Sequence, residues 1–354
     1  MQRFGEKIRI LRLQNQMTLQ ELAFALGLKA HGYMSEIESG KKKPTTELVV
    51  KAARLFNITT DHLLIDEMDI LEIGRNIQTS RFDQHPTPGE VEKIRLLLST
   101  YQDGSGQLVV KGNRTLPGWR DFERTIAAVF NGLPQENKSV FDVLVPDHEN
   151  PELSIGISCK MRCMLEDVKR IGRVSLELSN SAGKFWREIE SFGLNQQKYK
   201  KDPQQVGKAL ILLVKRWHNE VSIESGGLVD LNKSYYLVLS WNQAGSYQLF
   251  KFNLSFPDPE ELEWDFPAVK GKSGSDISGR RLRGMDNSGA LFEWYGESGG
   301  QLKYYPTIEA ALWKSDVFRL EPISESMLNL NLSMVKAQRY FPNQWAAVNQ
   351  NPPR

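Results

Sequence analysis

The sequence predicts a multidomain protein, in which an all-α N-terminal unit precedes a larger mixed α/β (α+β) region. Three observations lead there. Residues 3–66 read as a dense series of short capped helices, residues 67–90 are polar and contain prolines, and from residue 91 helical and strand periodicities alternate. Of the 354 residues, 40% are hydrophobic and 25% charged, which is globular composition and argues against wholesale disorder.

In the N-terminal unit, Phe4, Ile8, Leu11 and Leu13 recur at helical spacing. Thr18 then opens T-L-Q-E, where the hydroxyl caps an amide and Glu21 caps back, so a second helix is expected over 19–26. A third short helix spans A-H-G-Y-M-S-E-I-E-S and stops at Gly40, and Thr45 and Thr46 precede the periodic E-L-V-V-K-A-A-R-L-F. A last turn from Thr59 carries Leu63 and Leu64 inward. Residues 67–90 are expected to be a linker.

The larger region is expected over 91–323. A helix at 90–101, a hairpin around Asp103 and Gly104, and a helix at 119–130 with Phe122, Ile126 and Val129 as its apolar stripe come first. S-V-F-D-V-L-V-P-D and L-S-I-G-I-S-C-K-M read as strands, 173–193 and 202–221 as helices, and Y-Y-L-V-L-S-W and S-Y-Q-L-F-K-F-N-L-S-F as a strand pair. In the last strand Phe250, Phe252, Leu254 and Phe256 alternate, which predicts one buried face. Residues 324–354 lack strong periodicity and are expected to be a loosely attached tail.

Charge and cysteine content exclude several function classes. Lys and Arg number 45 against 43 Asp and Glu, a net +2, so no chain-wide basic signature exists. Residues 1–66 nevertheless hold ten Lys and Arg against seven Asp and Glu, so the positive excess sits there. The two cysteines, Cys159 and Cys163, rule out a disulfide framework and a four-thiolate metal site, and the five histidines are scattered. No GxGxxG or GxxxxGK[ST] motif occurs. The absence of a long apolar run or a signal-like N-terminus gives the expectation of a cytoplasmic protein with no membrane partner.

R-I-L-R (9–12), T-L-Q-E-L-A (18–23), Y-M-S-E-I-E-S-G (33–40), K-K-P-T-T-E-L (42–48) and A-R-L-F-N-I-T-T-D-H-L-L (53–64) together span residues 1–66. This unit resembles the XRE-like helix-turn-helix domain of Cro and C1 repressors. The resemblance implies double-stranded DNA as partner, with a short helix presented to the major groove. His31, Tyr33 and Ser35 are expected to face the groove, Gln20 and Lys29 to lie near the backbone, and Lys41, Lys42 and Lys43 to add phosphate contacts. L-K-A-H-G (28–32) is one residue longer than the usual turn.

A second constellation pairs F-D-V-L-V-P-D (141–147) with I-G-I-S-C-K-M-R (155–162). Strand alternation separates Asp142 from Phe141, Val143 and Val145, and puts Ser158 and Lys160 on the face opposite Ile155, Ile157 and Cys159. Over 119–193 this resembles the PD-(D/E)XK nuclease superfamily, in which one strand carries an acid and the next an acid, a spacer and a lysine. Ser158 departs from that pattern, because it stands where the second acid belongs. The resemblance implies Mg2+ held by Asp142, a second carboxylate and the Cys159 carbonyl, with Lys160 acting on the attacking water. Glu123, on the helix before the acidic strand, is the first choice for the missing acid, Glu177 the second and Glu166 the third. Asp147 completes a literal Pro-Asp pair but reads equally as a turn residue.

Together these resemblances imply a type II restriction endonuclease fused to a repressor-like domain, similar in layout to ApaLI-like enzymes, that cuts both strands as a homodimer. The alternative is a transcription regulator whose larger domain binds a ligand or dimerises, with Asp142 and Lys160 structural. The basic G-R-R-L-R-G (279–284) and the aromatic-rich L-F-E-W-Y-G-E-S-G-G-Q-L-K-Y-Y-P after it are a further candidate DNA contact, or else a solvated hairpin.

Overall fold

The computed structural model describes residues 2–14, 17–28, 31–56, 58, 60–66, 85–110, 115–135, 140–147, 149–270, 276–323 and 333–350. A helical N-terminal region is followed by a mixed α/β region, and the chain divides into two compact units, residues 1–152 with 320–354 and residues 153–319. The expected linker lies outside the described residues from 67 to 84.

The first unit opens with α1 (Phe4–Gln14), α2 (Leu19–Ala25), α3 (Gly32–Glu38), α4 (Thr46–Leu55) and α5 (Thr60–Leu64). Thr18 and Glu21 form the reciprocal cap on α2 that the sequence predicts, Thr18 Oγ1 accepting from the Glu21 N–H at 3.2 Å and Glu21 Oε2 from the Thr18 N–H at 2.7 Å. Phe4, Ile8, Leu22, Met34, Ile37, Ala52 and Leu63 form its closed core. α1 meets α3 closely at Gly5, where a Cβ would lie 2.1 Å from the Ile37 carbonyl oxygen, so only glycine fits there. Across the same pair Arg12 forks onto Glu38 at 2.6 and 2.8 Å. That hydrogen-bonded carboxylate raises the Arg12 pKa.

The next helix, α6 (Pro88–Thr100), starts two residues before the predicted position because Thr87, Pro88 and Glu90 build a second capping box. It is followed by β1 (Leu108–Val109) paired with β2 (Thr115–Leu116), by α7 (Trp119–Val129), and by β3 (Leu133–Pro134) paired antiparallel with β4 (Val143–Pro146). At the start of α7, buried Asp121 accepts from the Gly118 and Gln107 N–H groups, each at 2.8 Å.

The second unit contains β5 (Ser154–Arg162), α8 (Leu165–Ile171), β6 (Leu176–Ser179), α9 (Ala182–Ser191), α10 (Pro203–Glu220), β7 (Tyr235–Trp241), β8 (Ser246–Asn253), β9 (Glu263–Asp265), the small hairpin β10 (Ala268–Lys270) with β11 (Asp276–Ser278), β12 (Leu282–Asp286), β13 (Gly289–Tyr295), β14 (Gln301–Tyr304), β15 (Trp313–Lys314) and β16 (Phe318–Arg319). Within this unit β5 is parallel to β7, β7 antiparallel to β8, and β15 and β16 both pair with β8. The parallel pair is possible because α8 to α10 supply the long crossover that such pairing requires. A second sheet runs β6, β14, β13, β12, β9. α10 lies in a core shared with both sheets, burying Val206, Leu210 and Val214 against Tyr236, Phe250, Trp264 and Phe292. A Cβ on Gly207 would meet the Trp264 ring at 2.1 Å, which is why the helix has no side chain there.

Three expectations change. The helix expected over 173–193 is strand β6 followed by α9, since V-S-L-E-L-S alternates while only A-G-K-F-W-R-E-I-E-S carries helical spacing. β8 buries both faces, Leu249 and Lys251 as well as Phe250 and Phe252. Residues 333–350 form α11 (Ser333–Tyr340) and α12 (Pro342–Gln350), and both pack on α6. The physical reason is that Ile94, Leu96, Leu97 and Leu98 leave α6 apolar on several sides, more than one neighbour can cover.

Candidate nucleic-acid interface and candidate catalytic residues

α3 buries Met34 and Ile37, and this fixes what it offers outward. His31, Gly32, Ser35 and Ser39 are exposed along one stripe, with His31 at the N-cap position of the helix and Gln20 exposed on α2. α3 begins at Gly32. Tyr33 instead packs onto the core, and the Lys42 ammonium sits 5.7 Å from its ring centroid while pairing with Glu36 at 2.6 Å. Lys41 and Lys43 are exposed. Lys29 lies outside the described residues.

Among the candidate catalytic groups of the first unit, Glu123 is half-buried on α7. Asp142 is also half-buried, but it lies one residue before β4 rather than inside a strand over 140–145. Its carbonyl accepts the Gln135 N–H at 2.9 Å, which extends the β3–β4 pairing without making a full strand. Asp147 is buried, and its Oδ1 accepts the Glu149 N–H at 3.0 Å, the geometry of a turn.

In the second unit, Ser158 and Lys160 share one face of β5, opposite Tyr236 and Val238 of β7 in register, while Cys159 is buried on the other face beside Leu237. Ser158 is buried and Lys160 half-buried. Near them lies His218, which the sequence left among scattered histidines. Its Nε2 is 3.3 Å from the Tyr236 hydroxyl, and its ring stacks with Phe256 at a centroid distance of 6.4 Å. Burial, with the Lys160 charge adding to it, lowers the imidazole to about 4, so His218 is neutral at pH 7. The available signal was the stripe Gly207, Ile211, Val214 and His218 on α10, whose spacing puts His218 on the buried side.

Glu177 and Glu166 hold other partners. Glu177 is on β6, not on a helix, and the Arg162 guanidinium donates to it. The Glu166 carboxylate accepts from the Asn242 amide. Among the described residues no group of three or more His, Cys, Asp and Glu side chains is placed to hold a metal ion.

The basic stretch is partly absorbed by structure. Arg281 and Arg283 reach Glu293 at 2.8 and 3.3 Å, and Tyr295 and Tyr305 donate to its other oxygen at 3.0 and 2.9 Å. Burial would raise Glu293, but these donors outweigh it and hold the carboxyl below its usual range.

Among the described residues no helix is long and apolar enough to cross a membrane. A search of curated proteins and a search of solved structures each returned no match. The helix-turn-helix family model matches residues 8–63, a span that holds the α1–α5 core and its exposed α3 stripe. The protein therefore carries an N-terminal DNA-binding helix-turn-helix domain of the Cro and C1 type, followed by a mixed α/β region.

Proposed function

We propose that the protein is a type II restriction endonuclease, a Mg2+-dependent deoxyribonuclease that cuts both strands at a specific sequence. The observation that carries this reading is the placement of half-buried Lys160 on the same face of β5 as buried Ser158, opposite Ile155, Ile157 and Cys159. The order of elements adds support: α7 with Glu123, β3, β4 preceded by Asp142, β5 with Ser158 and Lys160, a helical crossover, and a parallel β7. In this reading Glu123, on α7 ahead of β4, is the second carboxylate.

In this reading Asp142 and Glu123, with the Cys159 carbonyl, would hold Mg2+, whose chemistry is to polarise a phosphoryl oxygen and acidify water. Lys160 orients the attacking water and offsets phosphate charge, and Ser158 contributes a hydroxyl where a carboxylate would add charge. The helix-turn-helix domain brings the chain to DNA, and a homodimer places two such sites on a symmetric sequence.

A second reading, a transcription regulator, is favoured by Ser158 alone. Plasmid and phage DNA incubated with purified protein and Mg2+ separate the two. Discrete fragments that vanish with a chelator are expected, whereas a shifted but intact band supports the regulator.

A further inference from the structure

Trp186, Gln196, Tyr199, Gly296 and Glu297 line a cleft of about 410 Å3 in the second unit. Its apolar wall is a cluster of aromatic rings that meet edge to face. Trp186 and Tyr199 meet edge to face at 5.0 Å, and buried Trp294 packs behind both, at 5.0 Å from Trp186 and 6.1 Å from Tyr199. Gly296 keeps the floor flat, because a Cβ there would lie 2.5 Å from the Trp294 ring. The polar side is Glu297, which accepts from the Tyr199 hydroxyl at 2.6 Å and pairs with Lys200 at 3.0 Å and Arg280 at 3.5 Å. Exposed Lys198 and Lys201 flank Tyr199 and Lys200 in the chain, and Arg280 opens the basic R-R-L-R run.

We propose that this cleft binds a single nucleobase turned out of a DNA strand, one that carries an amino group at C4 or C6, where thymine and guanine carry an oxygen: cytosine or adenine. This rests on the reading of the protein as an enzyme of DNA. A flat ring stacks on Trp186, which is sequence-tolerant and energetically substantial. The Glu297 carboxylate is acceptor-only, so it selects an amino group over the O4 acceptor of thymine, and the Gln196 amide can pair with a ring nitrogen. Arg280, whose side chain is exposed, is the cation at hand for a flanking phosphate. Aromatic cages also bind methylated ammonium groups, but here an internal cation already takes that role. Lys200 Nζ lies 5.6 Å from the Tyr199 centroid and 5.8 Å from that of Phe266, and it pairs with the same carboxylate. The Tyr199 hydrogen bond, with Lys200 and Arg280, holds Glu297 below the usual carboxylate range and keeps it ionised against these cations.

The test is calorimetric titration of the full-length protein, without divalent metal, with dCMP, dAMP, dTMP, deoxyribose 5-phosphate and tetramethylammonium. Binding of dCMP or dAMP is expected, with dTMP about tenfold weaker or more and the sugar phosphate weaker still. Trp186→Ala should reduce affinity by about five- to a hundredfold. Glu297→Gln keeps an acceptor for the Tyr199 hydroxyl and should narrow the preference over dTMP. Binding of tetramethylammonium alone, equal binding of the sugar phosphate, or no nucleotide binding by the folded wild type overturns the proposal. Plasmid cleavage measured on the same preparation keeps the two readings apart. Cutting without nucleotide selectivity removes the cleft and leaves the nuclease, and selective binding without cutting does the reverse.

Discussion

The Lys336 ammonium of α11 lies 2.7 Å from the Asp103 carboxylate, and both side chains are buried. The Tyr340 hydroxyl donates to the same oxygen at 2.9 Å and Ser105 Oγ to the other at 2.6 Å, so the carboxylate is fully engaged. This pair joins two segments 233 residues apart and explains why the C-terminal helices are integral to the first unit. Replacing one partner leaves a buried charge without its counter-ion, which costs about 3–5 kcal/mol. Lys336→Met is therefore expected to lower the melting temperature sharply, and Lys336→Met with Asp103→Asn to recover part of the loss. An unchanged melting temperature in the single variant would remove the anchoring role.

Burial would raise the Asp103 pKa, but the Lys336 and Ser105 hydrogen bonds outweigh it and the net shift is downward. A carboxyl depressed in the folded state stabilises above its unfolded value, about 3.9, and that contribution is lost as pH falls through the folded value. Acid unfolding of the wild type should then release α11 below about pH 4. In Asp103→Asn this contribution to the pH dependence should be missing, as read by circular dichroism across the range.

His218 carries a second pH signature. Its folded pKa of about 4 lies below the ordinary 6.5, so between these values the unfolded chain binds more protons and stability rises with pH. The wild type should lose up to about 3 kcal/mol on going from pH 7 to pH 4 through this group. His218→Gln should flatten that slope. Lys160→Met removes a neighbouring charge, so an NMR titration should find the imidazole pKa raised in the variant, and an unmoved value would break the Lys160–His218 coupling.

For cleavage, Asp142→Ala and Lys160→Ala should each reduce the Mg2+-dependent rate by about a hundredfold or more, with folding and DNA binding retained. Full activity in either variant defeats the proposed site.

Glu123→Gln keeps size and helix propensity but removes a charge, so Mg2+ binding and cleavage should fall while the melting temperature changes little. Glu177→Gln is the matched comparison. It leaves Arg162 with a neutral partner and should affect stability more than cutting. Loss of cutting in Glu177→Gln alone moves the second carboxylate to β6.

At the DNA interface, Ser35→Ala and His31→Ala should cost about 1–3 kcal/mol at a preferred sequence and relax the preference. Lys41→Ala and Lys43→Ala should weaken binding evenly across sequences and reduce its salt dependence. Gel shifts at several salt concentrations distinguish these outcomes. Tyr33→Phe should leave binding close to wild type, since Tyr33 packs onto the core.

How much was legible follows from the range of the interactions involved. Helical spacing, the Thr18 and Glu21 cap and the Gly40 stop are local, so α1 to α5 could be read from neighbours in the chain. Strand alternation likewise placed Ser158 and Lys160 together and Cys159 opposite, because side chains alternate at every residue of a strand whatever surrounds it. The packing of half-buried Tyr33 on the core, the tie of Glu177 to Arg162, the neutral His218 beside Lys160 and the Lys336–Asp103 anchor were not legible, because each depends on a group far away in sequence. The sequence alone determined the helix-turn-helix elements and the spacing of the Asp142 and Lys160 motif. Only the tertiary structure decided which carboxylates are already neutralised, which aromatic rings converge on the cleft at Trp186 and which end of the chain is anchored, since charge pairing and burial are set by three-dimensional neighbours that periodicity does not encode.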